Sequence, residues 1–121
     1  MTIYQEIILD HYHHPHNYGE LDKPDADISV SNSSCGDKIH LTLKVEDSEI
    51  AEIAFSGVGC AISTASSSML TDHVKGMSLE KVRAIDKDIL LKLIGIELSP
   101  SRIRCALLPL EALSKAVQSL K

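Results

Sequence analysis

Hydrophobic and polar residues follow two different periods along this chain of 121 residues. Between Thr2 and His14 the apolar side chains recur at helical spacing, which predicts a short amphipathic helix with Thr2 as its N-cap. Pro15 is expected to lie just beyond the end of this helix, because proline interrupts the helical pattern. Residues 15–27 combine proline, asparagine, glycine and aspartate, a composition that is typical of a surface connection.

A period of two follows and predicts strands. Residues 28–30 alternate between aliphatic and polar side chains, and residues 39–45 do so over a longer second strand. Residues 50–56 form a third predicted strand, and Asp47 and Ser48 suit a hairpin turn whose type no glycine fixes. We therefore expect an antiparallel meander with one face buried and the other solvated.

The second half of the chain has helical periodicity. Residues 61–74 are rich in alanine, serine, methionine and leucine and predict a helix. Two shorter helices are expected to follow, with Ser78 and Asp86 as their N-caps. After a break at Pro100, a long helix is predicted over residues 102–120. Strands followed by helices indicate an α+β fold, a three-stranded antiparallel sheet with helices packed on one face.

Composition limits the possible functions. The length fits a single domain over residues 1–121, and 44% hydrophobic residues with only 3% aromatics predict an aliphatic core. A net charge of −5 argues against nucleic-acid binding. The N-terminus lacks the features of a signal peptide, and no apolar stretch approaches the ~20 residues that span a bilayer. We expect a cytoplasmic protein with neither nucleic acid nor membrane as a partner.

The three cysteines are candidate metal ligands rather than a disulfide framework. Their number is odd, no two of them are closely spaced, and the expected compartment is reducing. Cys35 follows the first predicted strand, Cys60 immediately precedes a helix, and Cys105 lies at or just inside the start of the last helix. Flanking glycines allow the backbone to approach a metal or cluster closely. Three distant segments can thus present thiolates to one point.

A carboxylate joins the three thiols, since Asp37 follows Cys35 by two positions. We interpret the three cysteines and Asp37 as one iron–sulfur or zinc site, because thiolates suit both. A carboxylate is a harder and weaker partner for soft metals, so such a site is asymmetric and able to release its contents. Three small buried thiols without a metal are the alternative interpretation.

Five segments, spread in order over nearly the whole chain, carry motifs of a known family: residues 8–12 (ILDHY), 35–37 (CGD), 57–63 (GVGCAIS), 65–71 (ASSSMLT) and 102–108 (RIRCALL). At these residues the chain resembles the scaffold proteins for iron–sulfur cluster assembly, the IscU/SufU/NifU N-terminal family. The resemblance implies one antiparallel sheet with helices on one face. It also implies that the four candidate ligands ring a site at one end of the molecule.

The resemblance further implies a function. In this family a cysteine desulfurase delivers persulfide sulfur, iron joins it, and a labile [2Fe-2S] cluster is built and passed to apo-proteins. Cys35, Cys60 and Cys105 are implied as ligands and persulfide acceptors, with Cys105 the first choice for accepting sulfur. Asp37 is implied to keep the cluster labile, or to be a zinc ligand. Expected partners are a cysteine desulfurase, an iron donor and apo-protein acceptors, with the chain a monomer or homodimer.

Departures from the family pattern leave a second hypothesis open. Arg104 precedes the last cysteine where IscU-type scaffolds usually carry histidine, which resembles the SufU branch of zinc-dependent sulfur carriers. SufU-type chains, however, carry an insertion between the second and third cysteines, whereas Cys60 and Cys105 are 45 positions apart here. Some scaffolds of this family are recognised by a specialised Hsp70 chaperone through a Leu-Pro-Pro-Val-Lys segment. The corresponding residues 98–102 are LSPSR here, which argues against dependence on that chaperone.

The two hypotheses differ in class. The first is a scaffold without enzymatic activity that carries a [2Fe-2S] cluster. The second is a sulfurtransferase that holds Zn²⁺ and relays sulfur from a desulfurase. A zinc hydrolase is poorly supported, because no His/Glu motif supplies a general base.

Histidines and serines elsewhere suggest simpler roles. The run His11, His13, His14 and His16 has the composition of a metal-binding tract. His11 belongs to a family-like motif, and adventitious binding of nickel or zinc at the surface explains the others. The serine-rich residues 63–68 lack the glycines and lysine of a phosphate loop, so we interpret them as small residues for close helix packing.

Overall fold

The structure is a computed structural model that describes residues 2–32 and 36–120. Its sheet has the order β1–β2–β3 with both pairs antiparallel. The predicted α+β fold, with a three-stranded antiparallel sheet and a long C-terminal helix, is confirmed. The elements are α1 (Ile3–His13), β1 (Ala26–Asn32), β2 (Asp37–Glu46), β3 (Glu49–Val58), α2 (Ala61–Val74), α3 (Leu79–Arg83), α4 (Lys87–Ile94) and α5 (Pro100–Ser119).

Side-chain caps set the starts of three helices where the sequence predicted them. Thr2 and Gln5 form a reciprocal capping box at the start of α1. Ser78 accepts a backbone N–H at the start of α3, and Asp86 does the same for α4. Gly95 ends α4 with a left-handed φ of 82°, a conformation that glycine adopts at little cost.

The hairpin between β2 and β3 turns at Asp47 and Ser48, as predicted. Their φ angles are 52° and 62°, the left-handed conformation that both central residues of a type I′ turn require. This turn type matches the twist of the flanking strands, and Glu46 pairs directly with Glu49 across it. The turn sets the pairing of Val45 with Ile50, and a bulge between Lys44 and Val45 then shifts the register with which β3 returns toward the predicted site.

Helices cover one face of the sheet, in agreement with the prediction. Helix α5 packs on β1 and β2, α2 packs on β3, and the two helices pack on each other. Ile39, Leu41 and Leu43 of β2 face this layer and are at most 4% exposed. Helix α1 lies on α2, and α4 contacts both α2 and α5. Burial of this aliphatic layer is the main force that holds α2 and α5 in place.

The opposite face of the sheet was expected to be solvated, and this expectation is wrong at its centre. Thr42 and Ala54 are paired on β2 and β3 and are only 2% and 6% exposed. The connection after α1 runs along the edge of β3 and then crosses this face, where the Leu21 N–H donates to Thr42 Oγ1 at 3.1 Å. The connection thus contributes to the cover over the centre of this face.

Helix α5 begins earlier than predicted. Pro100 is its first residue rather than a break before it, because the first helical position needs no N–H donor and suits the fixed φ of proline. Cys105 consequently lies in the second turn of α5. Among the described helices, none combines the length and apolar character needed to cross a bilayer.

Candidate metal and sulfur site

Three of the four predicted ligands meet at one end of the sheet. A carboxylate oxygen of Asp37 and the sulfurs of Cys60 and Cys105 all lie within 4.8 Å of one another. They come from the first residue of β2, the N-cap of α2 and the second turn of α5. Cys35 lies outside the described residues, so its place in the site stays a prediction.

Asp37 is buried in this site, with only 2% of its surface exposed. Its Oδ1 accepts the backbone N–H of Cys60 at 3.0 Å, and its Oδ2 lies 3.7 Å from the Cys60 sulfur. The sequence suggested Asp37 only as a ligand or as the source of lability. The structure adds that it fixes the turn before α2 to the start of β2 and thereby positions Cys60.

Cys60 is the N-cap residue of α2 with an extended backbone, φ −72° and ψ 172°, and its side chain does not cap the helix. The sulfur is therefore not used to cap α2, and it lies beside the partial positive charge of the helix N-terminus. Ser63 Oγ lies 3.9 Å from this sulfur and donates to the Cys60 carbonyl at 3.2 Å. The serine-rich pattern did not predict this role of Ser63, although its position three residues after the N-cap residue Cys60 is a signal for such a contact.

Gly59 permits the close approach of these groups. A Cβ at this position would lie 2.2 Å from Ser63 Oγ and 3.1 Å from Asp37 Oδ1, and real Cβ atoms do not approach as closely as the first distance. Glycine at this position thus lets the backbone lie close to the Ser63 and Asp37 side chains, as the sequence suggested for the glycines near the site. Any other residue would push apart two side chains that position the Cys60 sulfur.

Cys105 is the more deeply buried of the two described cysteines, with 4% of its surface exposed. Its neighbour Ala106 accepts a hydrogen bond from Ser66 Oγ of α2 at 2.7 Å, which ties α5 to α2 beside the site. Four serines of α2 are at most 1% exposed: Ser63, Ser66, Ser67 and Ser68. Their burial confirms that the serine-rich stretch serves close helix packing. Because Cys105 is in the second turn of α5, it lies away from a helix N-terminus, unlike Cys60.

Arg104 is exposed. It lines a groove between the end of β1 and α5, together with Ser31, Asn32, Leu107, Leu108 and Glu111. A guanidinium cannot ligate a metal. Among the described residues, the donors at this site are therefore two sulfurs and a carboxylate.

The donor set fits a metal cation. A carboxylate and two thiolates held this close together would repel one another, and a cation relieves that repulsion while the Cys60 N–H satisfies one carboxylate oxygen. Sulfur and carboxylate ligands at such sites bind zinc and iron. Among the described residues, the donor set of Asp37, Cys60 and Cys105 is therefore one that suits iron or zinc.

Comparison with known proteins identifies the family. The NifU-like N terminal domain family matches residues 3–121. The chain belongs to this family. It is 37% identical over 134 residues to the iron-sulfur cluster assembly scaffold protein IscU of Streptococcus pyogenes serotype M1, with 96% of this chain and 83% of that protein covered.

Two further relatives carry the two names that the sequence suggested. IscU of Escherichia coli strain K12 is 39% identical over 122 residues, covering 98% of this chain and 94% of that protein. The zinc-dependent sulfurtransferase SufU of Bacillus subtilis strain 168 is 35% identical over 133 residues, covering 96% and 90%. The alignments with this SufU and with the Streptococcus IscU cover 133 and 134 positions, which is more than the 121 residues of this chain. Both relatives therefore contain residues that this chain lacks. Length alone therefore does not separate the two names.

Solved structures agree on the fold. A hypothetical protein with a crystal structure at 2.3 Å resolution has a TM-score of 0.81 and 36% identity, covering 96% of this chain and 97% of that one. The N-terminal part of a NifU-like protein from Brucella abortus has a TM-score of 0.80 at 24% identity, covering 98% and 94%. The arrangement of three strands and five helices described above is thus the fold of this family.

Proposed function

We propose that this protein is a scaffold on which a [2Fe-2S] cluster is assembled and from which it is passed to apo-proteins. The observation that carries the proposal is the meeting of Asp37, Cys60 and Cys105 within 4.8 Å, in a chain whose relatives are named iron-sulfur cluster assembly scaffolds. Cys35 would supply the third thiolate. Cys35 is only two positions before Asp37 in the sequence.

The sulfur enters as a persulfide from a cysteine desulfurase. The Cys105 thiolate attacks the outer sulfur of that persulfide, a new S–S bond forms at Cys105, and the desulfurase cysteine leaves as a thiolate. Two ferrous ions supply two of the four electrons that convert two such sulfurs to sulfide, and two external thiols that form a disulfide, or two equivalents of a one-electron donor, supply the other two. Cys105 is 4% exposed, so its sulfur must become more accessible for this attack.

Release depends on Asp37. Its carboxylate is a weaker ligand for a cluster than a fourth thiolate, and one of its oxygens is already engaged by the Cys60 N–H. An acceptor protein that offers a cysteine can replace it.

The location and the domain organisation follow the same proposal. These steps need reduced thiols, which agrees with a cytoplasmic location. The family match over residues 3–121 supports a single domain.

Anaerobic reconstitution tests the proposal. The protein is incubated with ferrous iron, cysteine, a thiol reductant and a cysteine desulfurase, and then separated from small molecules. We expect bound iron and sulfide in equal amounts, visible absorption of a [2Fe-2S] cluster, and transfer of that cluster to an apo-ferredoxin. Protein that retains no sulfide, or a cluster that no acceptor can remove, would contradict the scaffold.

The entry point of sulfur is tested separately. Incubation with the desulfurase and cysteine but without iron should leave a persulfide on the protein, which alkylation and mass spectrometry can locate. Cys105→Ser should lose this label and Cys60→Ser should keep it. The opposite result would move the acceptor role to Cys60, the more exposed of the two.

A zinc-dependent sulfurtransferase is the second candidate. It is favoured by the exposed Arg104, which leaves no histidine ligand beside Cys105, and by the similarity to a protein of that name. Asp37 and the cysteines would then hold Zn²⁺, and the protein would accelerate the desulfurase without retaining sulfide. The reconstitution experiment separates the two candidates, because only the scaffold retains iron and sulfide together.

A further inference from the structure

A second group of metal-ligating side chains lies where α1 meets α2. One ring nitrogen each of His11 and His16 and one carboxylate oxygen of Asp72 lie within 4.8 Å of one another. His11 is in the last turn of α1, His16 follows that helix, and Asp72 is in the last turn of α2. Asp72 is twelve residues after Cys60 on α2, a distance of about 18 Å along the helix.

We infer that His11, His16 and Asp72 form a binding site for one divalent transition-metal ion of the Zn²⁺ type, separate from the cysteine site. Imidazole nitrogens and a carboxylate oxygen are ordinary ligands of zinc, and three such ligands leave a fourth position for water. The donors here are nitrogen and oxygen only. This distinguishes the site chemically from the sulfur-rich one.

The surrounding residues hold these side chains in place. Ser68 Oγ lies 2.6 Å from His11 Nδ1 and accepts the backbone N–H of His16 at 2.8 Å. The Asn17 amide donates to Asp72 Oδ1 at 2.9 Å and to Thr71 Oγ1 at 3.1 Å. Ligands that are fixed by a second set of hydrogen bonds bind metals more tightly than unsupported ones.

Metal would take the place of a proton at this site. His16 Nδ1 lies 2.5 Å from Asp72 Oδ2, a hydrogen bond that holds one proton between a nitrogen and an oxygen. Ligand atoms around a tetrahedral zinc are about 3.3 Å apart, given bond lengths near 2.0 Å. The pair must therefore separate by less than about 1 Å, and side chains that are 48% and 44% exposed can move that far.

The site differs from a histidine tract defined by composition. His13 and His14 belong to the same run and are exposed. Within residues 2–32 and 36–120 they contribute to no such group of ligands. Two of the four histidines thus converge with a carboxylate that is distant in sequence, and the other two serve as internal controls.

One consequence concerns the metal content of the purified protein. Zinc bound at His11, His16 and Asp72 would be counted together with zinc bound at the cysteines. Stoichiometric zinc alone would then not show that the cysteine site is loaded. The two sites can be told apart by their ligands, since only thiolates give intense sulfur-to-metal charge transfer with Co²⁺.

Titration of the full chain with Co²⁺ under reducing, anaerobic conditions tests this inference. We expect two equivalents, one with sulfur-to-cobalt charge transfer and one without. His16→Ala should weaken the second equivalent by about tenfold or more and leave the first unchanged. Asp72→Asn should do the same, and retention of the sulfur-ligated equivalent reports that each variant is folded.

His14→Ala is the matched control and should bind both equivalents as the unaltered protein does. The inference is overturned if the unaltered protein binds only the sulfur-ligated ion, or if His16→Ala keeps the second equivalent. It is also overturned if His14→Ala loses as much affinity as His16→Ala, because binding would then belong to the tract as a whole. These outcomes are independent of iron and sulfide retention, which tests the scaffold.

Discussion

At the scale of single residues, Asp37 carries two tasks that a substitution can separate. One oxygen accepts the Cys60 N–H, and the carboxylate charge is proposed to serve the metal or cluster. Asparagine keeps a carbonyl oxygen for that N–H but loses the charge, whereas alanine loses both. The pair Asp37→Asn and Asp37→Ala therefore distinguishes positioning from ligation.

We expect Asp37→Asn to retain the stability of the apo-protein and to lengthen the lifetime of a reconstituted cluster. Asp37→Ala should lengthen it too, but with an unfolding free energy about 1 kcal/mol below that of Asp37→Asn, because a partly buried N–H is left without its acceptor. Urea denaturation followed by circular dichroism and the decay of visible absorption measure the two quantities. Asp22→Asn, an exposed substitution, is the control, and an unchanged lifetime in Asp37→Asn would disprove the lability role.

His40 links stability to pH on the sheet face opposite the helices. Its Nδ1 lies 3.1 Å from Glu20, and its Nε2 is hydrogen-bonded to Asp27. The hydrogen bond to Asp27 raises the pKa of His40, and the charges of Asp27 and Glu20 raise it further, whereas partial burial opposes this. Because folding raises the pKa of His40, the interaction of protonated His40 with Asp27 and Glu20 stabilises the folded protein. This contribution is fully present below the pKa of about 6.5 that histidine has in the unfolded chain.

This contribution should be lost as the pH rises through the higher pKa of folded His40. His40→Gln is therefore expected to lower the unfolding free energy by roughly 0.5–1 kcal/mol near pH 5.5 and by less near pH 8.5. Urea denaturation at both pH values measures the difference. Equal losses at the two values would show that His40 acts through packing alone.

At the scale of elements, Gly59 shows how closely the turn before α2 is fitted. In Gly59→Ala the Ser63 hydroxyl must rotate away and give up its bond to the Cys60 carbonyl, and Asp37 must shift. We expect a loss of about 1–2 kcal/mol in unfolding free energy and a clearly weaker sulfur-ligated Co²⁺ equivalent. Ser63→Ala in the same chain removes the nearer obstacle and should restore part of that affinity. A double variant no better than Gly59→Ala would show that the Asp37 contact dominates.

Local chemistry was enough to predict most elements. Thr2, Ser78 and Asp86 cap helices within their own first turns, and strict alternation marks residues 39–45 as a strand. Such signals depend on neighbours in sequence. They could therefore be read without knowledge of the tertiary structure.

Features that depend on distant segments could not be predicted in the same way. Thr42 is buried by a connection about 20 residues earlier in the chain, and nothing in an alternating pattern reveals that cover. The bond between Asp37 and the Cys60 N–H joins two elements, so the sequence could suggest that these residues meet but not that one positions the other. Pro100 was ambiguous because proline either precedes a helix or opens it.

At the scale of the whole molecule, the cysteine site draws on the start of β2, the N-cap of α2 and the second turn of α5. An ion bound there would connect all three elements. Such an ion binds the folded chain far better than the unfolded one, because only folding brings the ligands together. Metal binding and global stability must then rise together.

We therefore expect Zn²⁺ bound at the cysteine site to raise the unfolding free energy by about 2.7 kcal/mol when the free zinc concentration is a hundred times the Kd of that site. The chain has no tryptophan, so urea denaturation is followed by circular dichroism, with and without zinc and after removal of zinc by a chelator. Comparison within each variant cancels its intrinsic stability. Cys105→Ser should lose the part of the increment that the cysteine site contributes, and His16→Ala should lose only the part contributed at the α1–α2 junction. An increment that survives in Cys105→Ser but disappears in His16→Ala would assign the stabilising ion to the α1–α2 junction instead.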